Sequence, residues 1–327
     1  MNGVKPDNNK SGTPSLKMGV AIVLLNLAGI ELLAQVLAYA LIPAQRRVQY
    51  IALEDPVVGW KFRGCRHQSV LGYGDFSLCF DDLGLRTGGP RAAPVPRLFL
   101  GTSITLGQQV PADSTFASRL NGVNAGFDGY TVYQLRDRYR ADLFALEPRH
   151  LVLVVGADDL VTVAEGRSRY ENTLLTNPMI ERRSPIKRLA KREGVFRLLT
   201  WRSSQALDDP QQADRYFLNL VTRPADPQAL DDWQKAVLAI RADRSGDSFI
   251  LVLSPPRSQV RAAQQGTAAF PRNEQIRAFC ETQGIPWIDL MPALVSHDIR
   301  TTYVDSLHYS DFGHALVSAE ISARMSQ

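Results

Sequence analysis

The sequence predicts an α/β fold in which a parallel β-sheet is covered by helices on both faces. Three apolar runs carry this prediction: PRLFLG at 96–101, HLVLVVG at 150–156 and SFILVLSPP at 248–256. They are continuous rather than alternating, which is typical of strands that are buried on both faces. Helical patterns lie between them, as an alternating α/β chain requires.

Shorter segments complete this pattern. Two further strands are expected at 123–127 and 286–290, and two segments show helical periodicity. The apolar face of the first, 131–145, comprises Val132, Leu135, Tyr139 and Leu143. The apolar face of the second, at the C-terminus, comprises Phe312, Leu316, Ala319 and Ala323. Spacings of three and four residues place each set on one side of a helix.

The segment between the 150–156 and 248–256 strands is too long for an ordinary crossover, so we predict a helical insertion at about 160–245. Within it, residues 181–202 contain eight Lys or Arg and two Glu, interleaved with apolar side chains. Two interpretations remain open. The stretch is either a solvated helix with an apolar side on the core, or a surface for anionic lipid headgroups or an anionic polymer.

Composition excludes several classes of protein. The 327 residues are 45% hydrophobic and 21% charged, with 23 Gly and 19 Pro, which is ordinary for a globular chain. Three cysteines are too few for a disulfide scaffold, and no Cys/His spacing suggests a zinc site. A net charge of +4 provides no argument for nucleic acid as a partner.

The N-terminus predicts a membrane anchor. Residues 1–17 form a polar tail. Residues 18–43 contain no Lys or Arg, are apolar apart from Asn26, Glu31 and Gln35, and are long enough to cross a bilayer. The alternative is a cleaved signal peptide, for which Ala38-Tyr39-Ala40 offers a cleavage site. Lys5, Lys10 and Lys17 favour a cytoplasmic tail, so we expect a single-pass protein of the inner membrane whose main domain is periplasmic.

Residues 44–95 are predicted to be a juxtamembrane segment followed by a β-hairpin region. Cys65 and Cys79 flank a turn-rich stretch within it, so a cross-strand disulfide is one of two open alternatives for this pair. Cys280 lies in a predicted helix and is expected to be a buried apolar residue.

The candidate nucleophile is Ser103, which follows the strand at 96–101 directly in the stretch GTSITLG. A serine at this junction lies at the carboxyl edge of a parallel sheet, where α/β folds bind ligands. The alternative is that Ser103 only caps the next helix. A phosphate-binding loop is disfavoured because the GxxxxGK pattern is absent.

A carboxylate and an imidazole occur together near the C-terminus, in Asp305-Ser306-Leu307-His308. A serine hydroxyl becomes nucleophilic when an imidazole accepts its proton, and a carboxylate then fixes the tautomer of that imidazole. Ser103, His308 and Asp305 can supply these roles. Two alternatives stay open: His308 and His314 begin a helix without chemistry, or Asp305, His308 and His314 bind a metal.

Four separated blocks resemble the SGNH, or GDSL-type, hydrolases. They are GTSITLG at 101–107, NAGFDGYT at 124–131, GADD at 156–159 and DSLH at 305–308. The resemblance implies a three-layer, flavodoxin-like domain over 96–327 with a catalytic triad of Ser103, Asp305 and His308. It also implies an oxyanion hole formed by Ser103, Gly129 and the residue at position 158, with no cofactor and no metal.

Two positions depart from the family pattern. Thr102 replaces the usual Asp before the nucleophile, and Asp158 replaces an Asn whose amide donates to the oxyanion. An ionised carboxylate has no donor and repels developing negative charge, and loss of one such donor costs on the order of 10²–10³ in rate. Burial that keeps Asp158 protonated would restore a donor.

The chain is further similar to membrane-anchored bacterial members of this group, through GW at 59–60, DDLGLRT at 81–87 and Gln134. That resemblance implies a serine esterase or O-acyltransferase, acting on acyl esters, mainly O-acetyl groups, of a cell-envelope polysaccharide or exopolysaccharide. The alternative is a non-catalytic accessory or glycan-binding subunit of a membrane complex for polysaccharide synthesis or export.

Overall fold

The structure is a computed structural model that describes residues 16–41, 52–70, 74–87, 92–176, 180–181, 210–244 and 248–325. Its strands are β1 (Ala52–Asp55), β2 (Gly59–Phe62), β3 (Gly64–Val70), β4 (Gly74–Phe80), β5 (Arg97–Gly101), β6 (Val123–Gly126), β7 (His150–Val155), β8 (Ile180–Glu181), β9 (Ser248–Leu253) and β10 (Trp287–Asp289). Its helices are α1 (Leu16–Leu41), α2 (Ser103–Leu106), α3 (Phe116–Arg119), α4 (Val132–Arg138), α5 (Val163–Thr176), α6 (Pro210–Val221), α7 (Pro227–Ala242), α8 (Arg257–Gln264), α9 (Pro271–Thr282), α10 (Met291–Val295), α11 (Ile299–Thr302) and α12 (Asp311–Met325).

The central sheet has five strands in the order β10-β9-β7-β5-β6, and every pairing in it is parallel. Counted along the chain, this is the 2-1-3-4-5 order of flavodoxin-like folds. The predicted α/β class and the five predicted strands are confirmed. Because all five strands point the same way, the loops that follow β5, β6 and β7 meet at one edge of the sheet.

Side chains of the central strands enter two hydrophobic clusters, one on each face of the sheet. Leu98, Leu100 and Leu153 belong to the first cluster, whereas Phe99 and Val152 belong to the second. Successive strand residues point to opposite faces, and both faces here are buried. This explains why the sequence shows continuous apolar runs, and it makes the domain three-layered.

The apolar face predicted for each of the two helical segments can be compared with the residues that are buried in the structure. In 131–145 the predicted face is confirmed, since its four residues are buried along α4 and the helical turns that follow it. In α12 the predicted face is wrong, because Phe312 is 44% exposed while the buried residues are Gly313, His314, Val317 and Ile321. The helical period is right, but the face is shifted because the close packing of Gly313 against the Thr302 carbonyl turns its side of the helix inward.

The N-terminal β segments, residues 52–70 and 74–87, are built into the core rather than extending from it. Strands β1 and β2 pair antiparallel, β8 joins β1 in parallel, and β3 and β4 form the predicted hairpin. Cys65 and Cys79 face each other across that hairpin and form a disulfide. Trp60, Phe62 and Leu85 are buried in the main hydrophobic cluster.

Within the predicted insertion, the described residues form the helices α5, α6 and α7 and the short strand β8. Trp233, Ala236 and Val237 of α7 are buried in the core. Except for Glu181, the basic stretch 181–202 lies outside the described residues.

The N-terminal helix α1 covers 26 residues, which overlap most of the anchor predicted at 18–43. Across the ranges that the structure describes, no helix is both long and apolar enough to cross a membrane. The predicted tail, residues 1–17, lies outside the described residues except for its last two positions.

Candidate active site

Residues 101–107, here called the Ser103 turn, connect the end of β5 to α2 and are closely packed along the backbone. A Cβ atom at Gly101 would lie 2.2 Å from the Thr105 hydroxyl oxygen, and one at Gly126 would lie 2.0 Å from the backbone nitrogen of Leu106. Both positions therefore require glycine. Thr102 is the residue before the helix and Ser103 is its first residue, so Ser103 is not the helix cap. Its side chain is nearly buried, with 6% exposure.

The C-terminal loop brings an imidazole and a carboxylate to this serine. The Oγ atom of Ser103 lies 2.9 Å from Nε2 of His308, and Nδ1 of His308 lies 2.7 Å from Oδ2 of Asp305. The backbone N–H groups of Leu307 and His308 both donate to Oδ1 of Asp305 at 2.8 Å. The tight turn 305–308 thus orients its own carboxylate, and the three side chains form a continuous hydrogen-bonded chain.

The pKa shifts of Asp305 and His308 favour proton transfer from the serine to the histidine. Burial acts to raise the pKa of Asp305, but hydrogen bonds from the ring and backbone of His308 and from the Leu307 N–H outweigh it and lower the pKa to about 2. Burial acts to lower the pKa of His308, but the hydrogen bond and charge of Asp305, with the Asp128 carboxylate, outweigh it and raise the pKa. The carboxylate is therefore ionised at neutral pH, and it stabilises the imidazolium.

Gly129 and Asp158, the other two predicted oxyanion residues, follow β6 and β7 at the same sheet edge as Ser103. Gly129 has a φ of 73°, in the left-handed region that glycine adopts readily. Asp158 lies in a single 3₁₀ turn, Ala157–Asp159. The topology thus brings Ser103, Gly129 and Asp158 to one edge, which is where parallel sheets bind ligands, and the turn 305–308 places His308 beside Ser103 at that edge.

Asp158 lies in a setting that disfavours a charged carboxylate. Its Oδ1 atom is shielded from solvent and has no hydrogen-bond partner among the described residues. Burial raises the pKa of Asp158, and the cations Arg169 and Arg272 oppose this without cancelling it. The neighbouring Asp159 accepts a hydrogen bond from the Gly156 N–H at 2.9 Å, and burial raises its pKa to about 7.

His314 belongs to the core. It is fully buried, its Nδ1 accepts a hydrogen bond from the Phe116 N–H at 3.3 Å, and burial lowers its pKa to about 3. Among the residues that the structure describes, no three His, Cys, Asp or Glu side chains are grouped to hold a metal ion. The metal site of Asp305, His308 and His314 that the sequence left open is therefore contradicted.

A cleft of about 510 Å³ opens beside the loop of Asp158, lined by Tyr216, Asn219, Leu220, Arg223, Pro224, Ala225, Asp226 and Arg272. Arg272 connects the cleft to that loop, since its Nη1 atom is 3.3 Å from the carbonyl oxygens of both Ala157 and Leu160. The residues of this cleft carry no sequence motif. They come from α6, from the loop that follows it and from α9, which begins about 50 residues after the end of α6. Sequence reasoning therefore missed them.

The fold and the hydrogen-bonded Ser-His-Asp chain define a hydrolase of the serine type. A sequence model of the GDSL-like lipase/acylhydrolase family matches residues 99–316, and the protein belongs to this family. No curated protein matches the chain in sequence.

Several solved structures are similar to this chain at low sequence identity. A two-domain esterase active on acetylated mannans shares 16% identity over 71% of this chain and 49% of its own, with a TM-score of 0.42. An acetylxylan esterase from Geobacillus stearothermophilus shares 13% over 72% of this chain and 95% of its own, with a TM-score of 0.40. A lipase/acylhydrolase from Enterococcus faecalis shares 15% over 70% and 94%, with a TM-score of 0.39. The chain thus spans about half the length of the two-domain esterase.

Proposed function

We propose that the protein is an extracytoplasmic serine esterase or O-acyltransferase that acts on acyl esters, mainly O-acetyl groups, of a polysaccharide. The observation that carries this proposal is the hydrogen-bonded chain from Ser103 through His308 to Asp305. A buried serine that is paired to an oriented imidazole is the arrangement that activates a hydroxyl for attack on a carbonyl carbon.

In the proposed mechanism, the Ser103 oxygen attacks the acyl carbonyl carbon while His308 Nε2 accepts the hydroxyl proton. Asp305 holds the proton on Nδ1 and stabilises the imidazolium. The backbone N–H groups of Ser103 and Gly129 donate to the oxyanion. The bond between the acyl carbon and the sugar oxygen then breaks, His308 gives its proton to that oxygen so that it leaves as a hydroxyl, and the acyl group stays on Ser103. Water, or a second sugar hydroxyl, attacks this acyl group while His308 accepts its proton; the bond to Ser103 Oγ breaks, His308 returns the proton to Ser103, and the free acid or the new ester departs.

Asp158 is proposed as a third, neutral donor to the oxyanion. Its shielded Oδ1 and raised pKa support a protonated carboxyl group, which carries the O–H that an ionised carboxylate lacks. With the proton in place, the site has a donor where the family pattern has an asparagine amide.

The cleft beside Asp158 is proposed to bind the glycan. It offers an aromatic ring at Tyr216, an amide at Asn219 and the guanidinium groups of Arg223 and Arg272, which suit the faces and hydroxyls of sugar rings. The similar structures include an esterase active on acetylated mannans and an acetylxylan esterase, and the proposal assigns the class of acetylated polysaccharides to this chain.

We also propose that residues 18–43 anchor the protein in the inner membrane with its catalytic domain in the periplasm. The support is the apolar surface of α1, on which Leu25 is 72% and Leu32 is 65% exposed. The proposal predicts that the full chain stays in the membrane fraction after alkaline carbonate extraction. Release into the soluble fraction would contradict it.

The activity is tested with the purified full chain and p-nitrophenyl acetate or an acetylated glycan as substrate, with Ser103→Ala as the matched control. We expect acetate release by the parent protein and a loss of at least about 10³-fold in Ser103→Ala. Transfer to an added oligosaccharide, read by mass spectrometry, distinguishes the acyltransferase from the esterase. Equal rates for the two proteins would refute the catalytic proposal.

A second candidate function is a non-catalytic glycan-binding or accessory subunit of a polysaccharide synthesis or export complex. The replacement of the family's asparagine by Asp158 favours it, because a carboxyl group that is ionised places no donor at the oxyanion. This candidate predicts glycan binding that is equal in the parent protein and Ser103→Ala, with no turnover by either.

A further inference from the structure

The Ser103 turn depends on contacts from outside itself for its orientation. Helix α2 has only four residues, and within it the N–H groups of Leu106 and Gly107 donate to the carbonyls of Thr102 and Ser103. A helix this short is not stable alone. Its carbonyl end, opposite Ser103, must therefore be held by groups elsewhere in the chain.

Arg86 holds that end. Its Nη1 atom donates to the Leu106 carbonyl at 2.6 Å and also to the Gly107 carbonyl, and its Nη2 atom donates to the Val110 carbonyl. The Asn124 amide adds a bond to the Thr105 carbonyl at 2.8 Å. Planar guanidinium groups are suited to such a task, because their donors are fixed in one fork.

Arg86 is itself rigidly placed. It is 1% exposed, and its backbone bridges Phe80 of β4 on one side and Asn124 of β6 on the other. The turn before it requires glycine, since Gly84 has a φ of 71° and a Cβ atom there would lie 2.9 Å from the Phe62 carbonyl oxygen. Burial lowers the pKa of Arg86 to about 10, so the group is charged at neutral pH.

The same N-terminal β segments hold the loop of Gly129. The Tyr130 hydroxyl donates to the Trp60 carbonyl, and the two rings pack edge to face with centroids 4.9 Å apart. Phe127 stacks on Phe62 with centroids 6.2 Å apart. Residues 52–70 and 74–87 therefore contact both the turn that carries the nucleophile and the loop that carries the candidate oxyanion donor.

We propose that Arg86 is a positioning residue of the active site, and that the N-terminal β segments belong to the catalytic unit although they precede the family match at 99–316. Arg86 acts through α2. By fixing the carbonyl end of that helix, it sets the Ser103 hydroxyl against His308. The proposal rests on the catalytic role of Ser103. Misplacement of a reacting group by about 1 Å can cost on the order of 10²-fold in rate.

The test compares Arg86→Gln and Arg86→Lys with Arg97→Gln in the full chain. Arg97 is the matched control because its Nη1 atom also donates to a loop carbonyl, that of Leu120 at 2.7 Å, but it lies at the opposite end of β5 from Ser103. The substrate is p-nitrophenyl acetate, and rates are corrected for the folded fraction measured by circular dichroism. We expect Arg86→Gln to lower kcat on the order of 10²-fold and to change KM less than about threefold. Arg86→Lys, which keeps the charge and one donor group, should recover part of the loss. Arg97→Gln should keep the parent kcat.

Two substrate-independent measurements separate this proposal from the proposed function. Hydrogen exchange at the Leu106 and Gly107 amides should accelerate in Arg86→Lys and not in Arg97→Gln, whether or not the protein turns over an ester. Labelling of Ser103 by a fluorophosphonate should slow in parallel. If no ester is hydrolysed by the parent protein, the exchange result still decides whether Arg86 holds the turn. Unchanged kcat and unchanged exchange in both Arg86 variants would overturn the proposal, as would an equal loss of kcat in Arg97→Gln.

Discussion

At the scale of single residues, the pairing of His308 with Asp305 controls the pH dependence of the proposed reaction. His308 must be neutral to accept the serine proton, and its pKa is raised by the Asp305 carboxylate. Activity should therefore rise with pH through an inflection above the usual histidine value of about 6.5. Asp305→Asn removes the negative charge, so the inflection should move to lower pH while kcat falls on the order of 10⁴-fold.

The measurement is the pH profile of kcat/KM for the parent protein and Asp305→Asn. Glu147→Gln is a suitable control. This exposed glutamate follows the turn Phe144–Leu146 and precedes the first residue of β7, whereas the candidate site lies where the parallel strands end. An inflection that stays at the same pH in Asp305→Asn would show that this carboxylate does not interact with the catalytic base.

Asp158 is the second residue whose protonation matters. An asparagine amide carries donors at every pH, whereas the carboxyl group donates only when protonated. Asp158→Asn should therefore raise the esterase rate, by up to about 10²-fold where the carboxylate would be ionised. The gain should grow with pH, because the protonated fraction of the parent side chain falls as pH rises through its raised pKa.

This prediction is checked by the ratio of the two rates between about pH 5 and pH 9. Asp159→Asn is the neighbouring control. The carboxylate of Asp159 already accepts a hydrogen bond from the Gly156 N–H, whereas Oδ1 of Asp158 has no partner among the described residues. A ratio that is near one and independent of pH would mean that the side chain at 158 does not reach the oxyanion.

At the scale of secondary structure, α12 shows what a hydrophobic pattern can and cannot predict. Its period identifies a helix over Asp311–Met325, but the apolar residues Phe312 and Leu316 suggest the wrong face. The inward side is set by Gly313, where the helix meets the Thr302 carbonyl, and by His314, whose ring packs on Phe116 with centroids 5.3 Å apart. Neither residue is apolar, so a pattern of apolar positions does not reveal them.

A comparison of two truncations tests this orientation. Ile321→Ala should lower the free energy of unfolding by about 2–4 kcal/mol, because it leaves a cavity at a fully buried site. Phe312→Ala should cost less than about 1 kcal/mol although it removes more atoms, since Phe312 is 44% exposed. Urea denaturation followed by circular dichroism gives both values, and the reverse order would contradict the described face.

The turns of the site follow from the sequence more directly than α12 does. GTSITLG and DSLH are local stretches whose glycines and carboxylate shape the backbone within a few residues, so the sequence alone predicts Ser103, Asp305 and His308. Arg86 could not be predicted in this way. Its partners are backbone carbonyls 20 to 24 residues away, and a carbonyl acceptor leaves no signature in the side-chain pattern.

At the scale of the whole molecule, the α/β class and the strands follow from continuous apolar runs, because burial on both faces leaves no polar positions. The role of the N-terminal β segments does not follow. From the sequence, these segments are predicted to connect an anchor to the α/β domain. In the structure, Trp60, Phe62 and Leu85 are buried in the main hydrophobic cluster of that domain. Such long-range packing depends on three-dimensional shape and is not encoded in any local period.

The proposed glycan-binding role of the cleft predicts different effects on an oligosaccharide substrate and on a small ester. If the cleft binds the glycan, Tyr216→Ala should raise KM for an acetylated oligosaccharide by about tenfold, because stacking of a ring on an aromatic side chain contributes on the order of 1 kcal/mol. The same variant should leave kcat and KM for p-nitrophenyl acetate within about twofold, since Tyr216 is 52% exposed and lies outside the Ser-His-Asp chain. Equal effects on both substrates would remove the cleft from the glycan-binding site.

In the proposed reaction, Ser103 is activated by His308 and Asp305 and carries the acyl group. The most direct test of this reaction is intact-protein and peptide mass spectrometry after brief exposure to a fluorophosphonate or an activated acetyl ester. We expect one adduct on Ser103, no adduct in Ser103→Ala, and labelling slowed by at least about 10²-fold in His308→Ala. Labelling at an unchanged rate in either variant would contradict the proposed reaction.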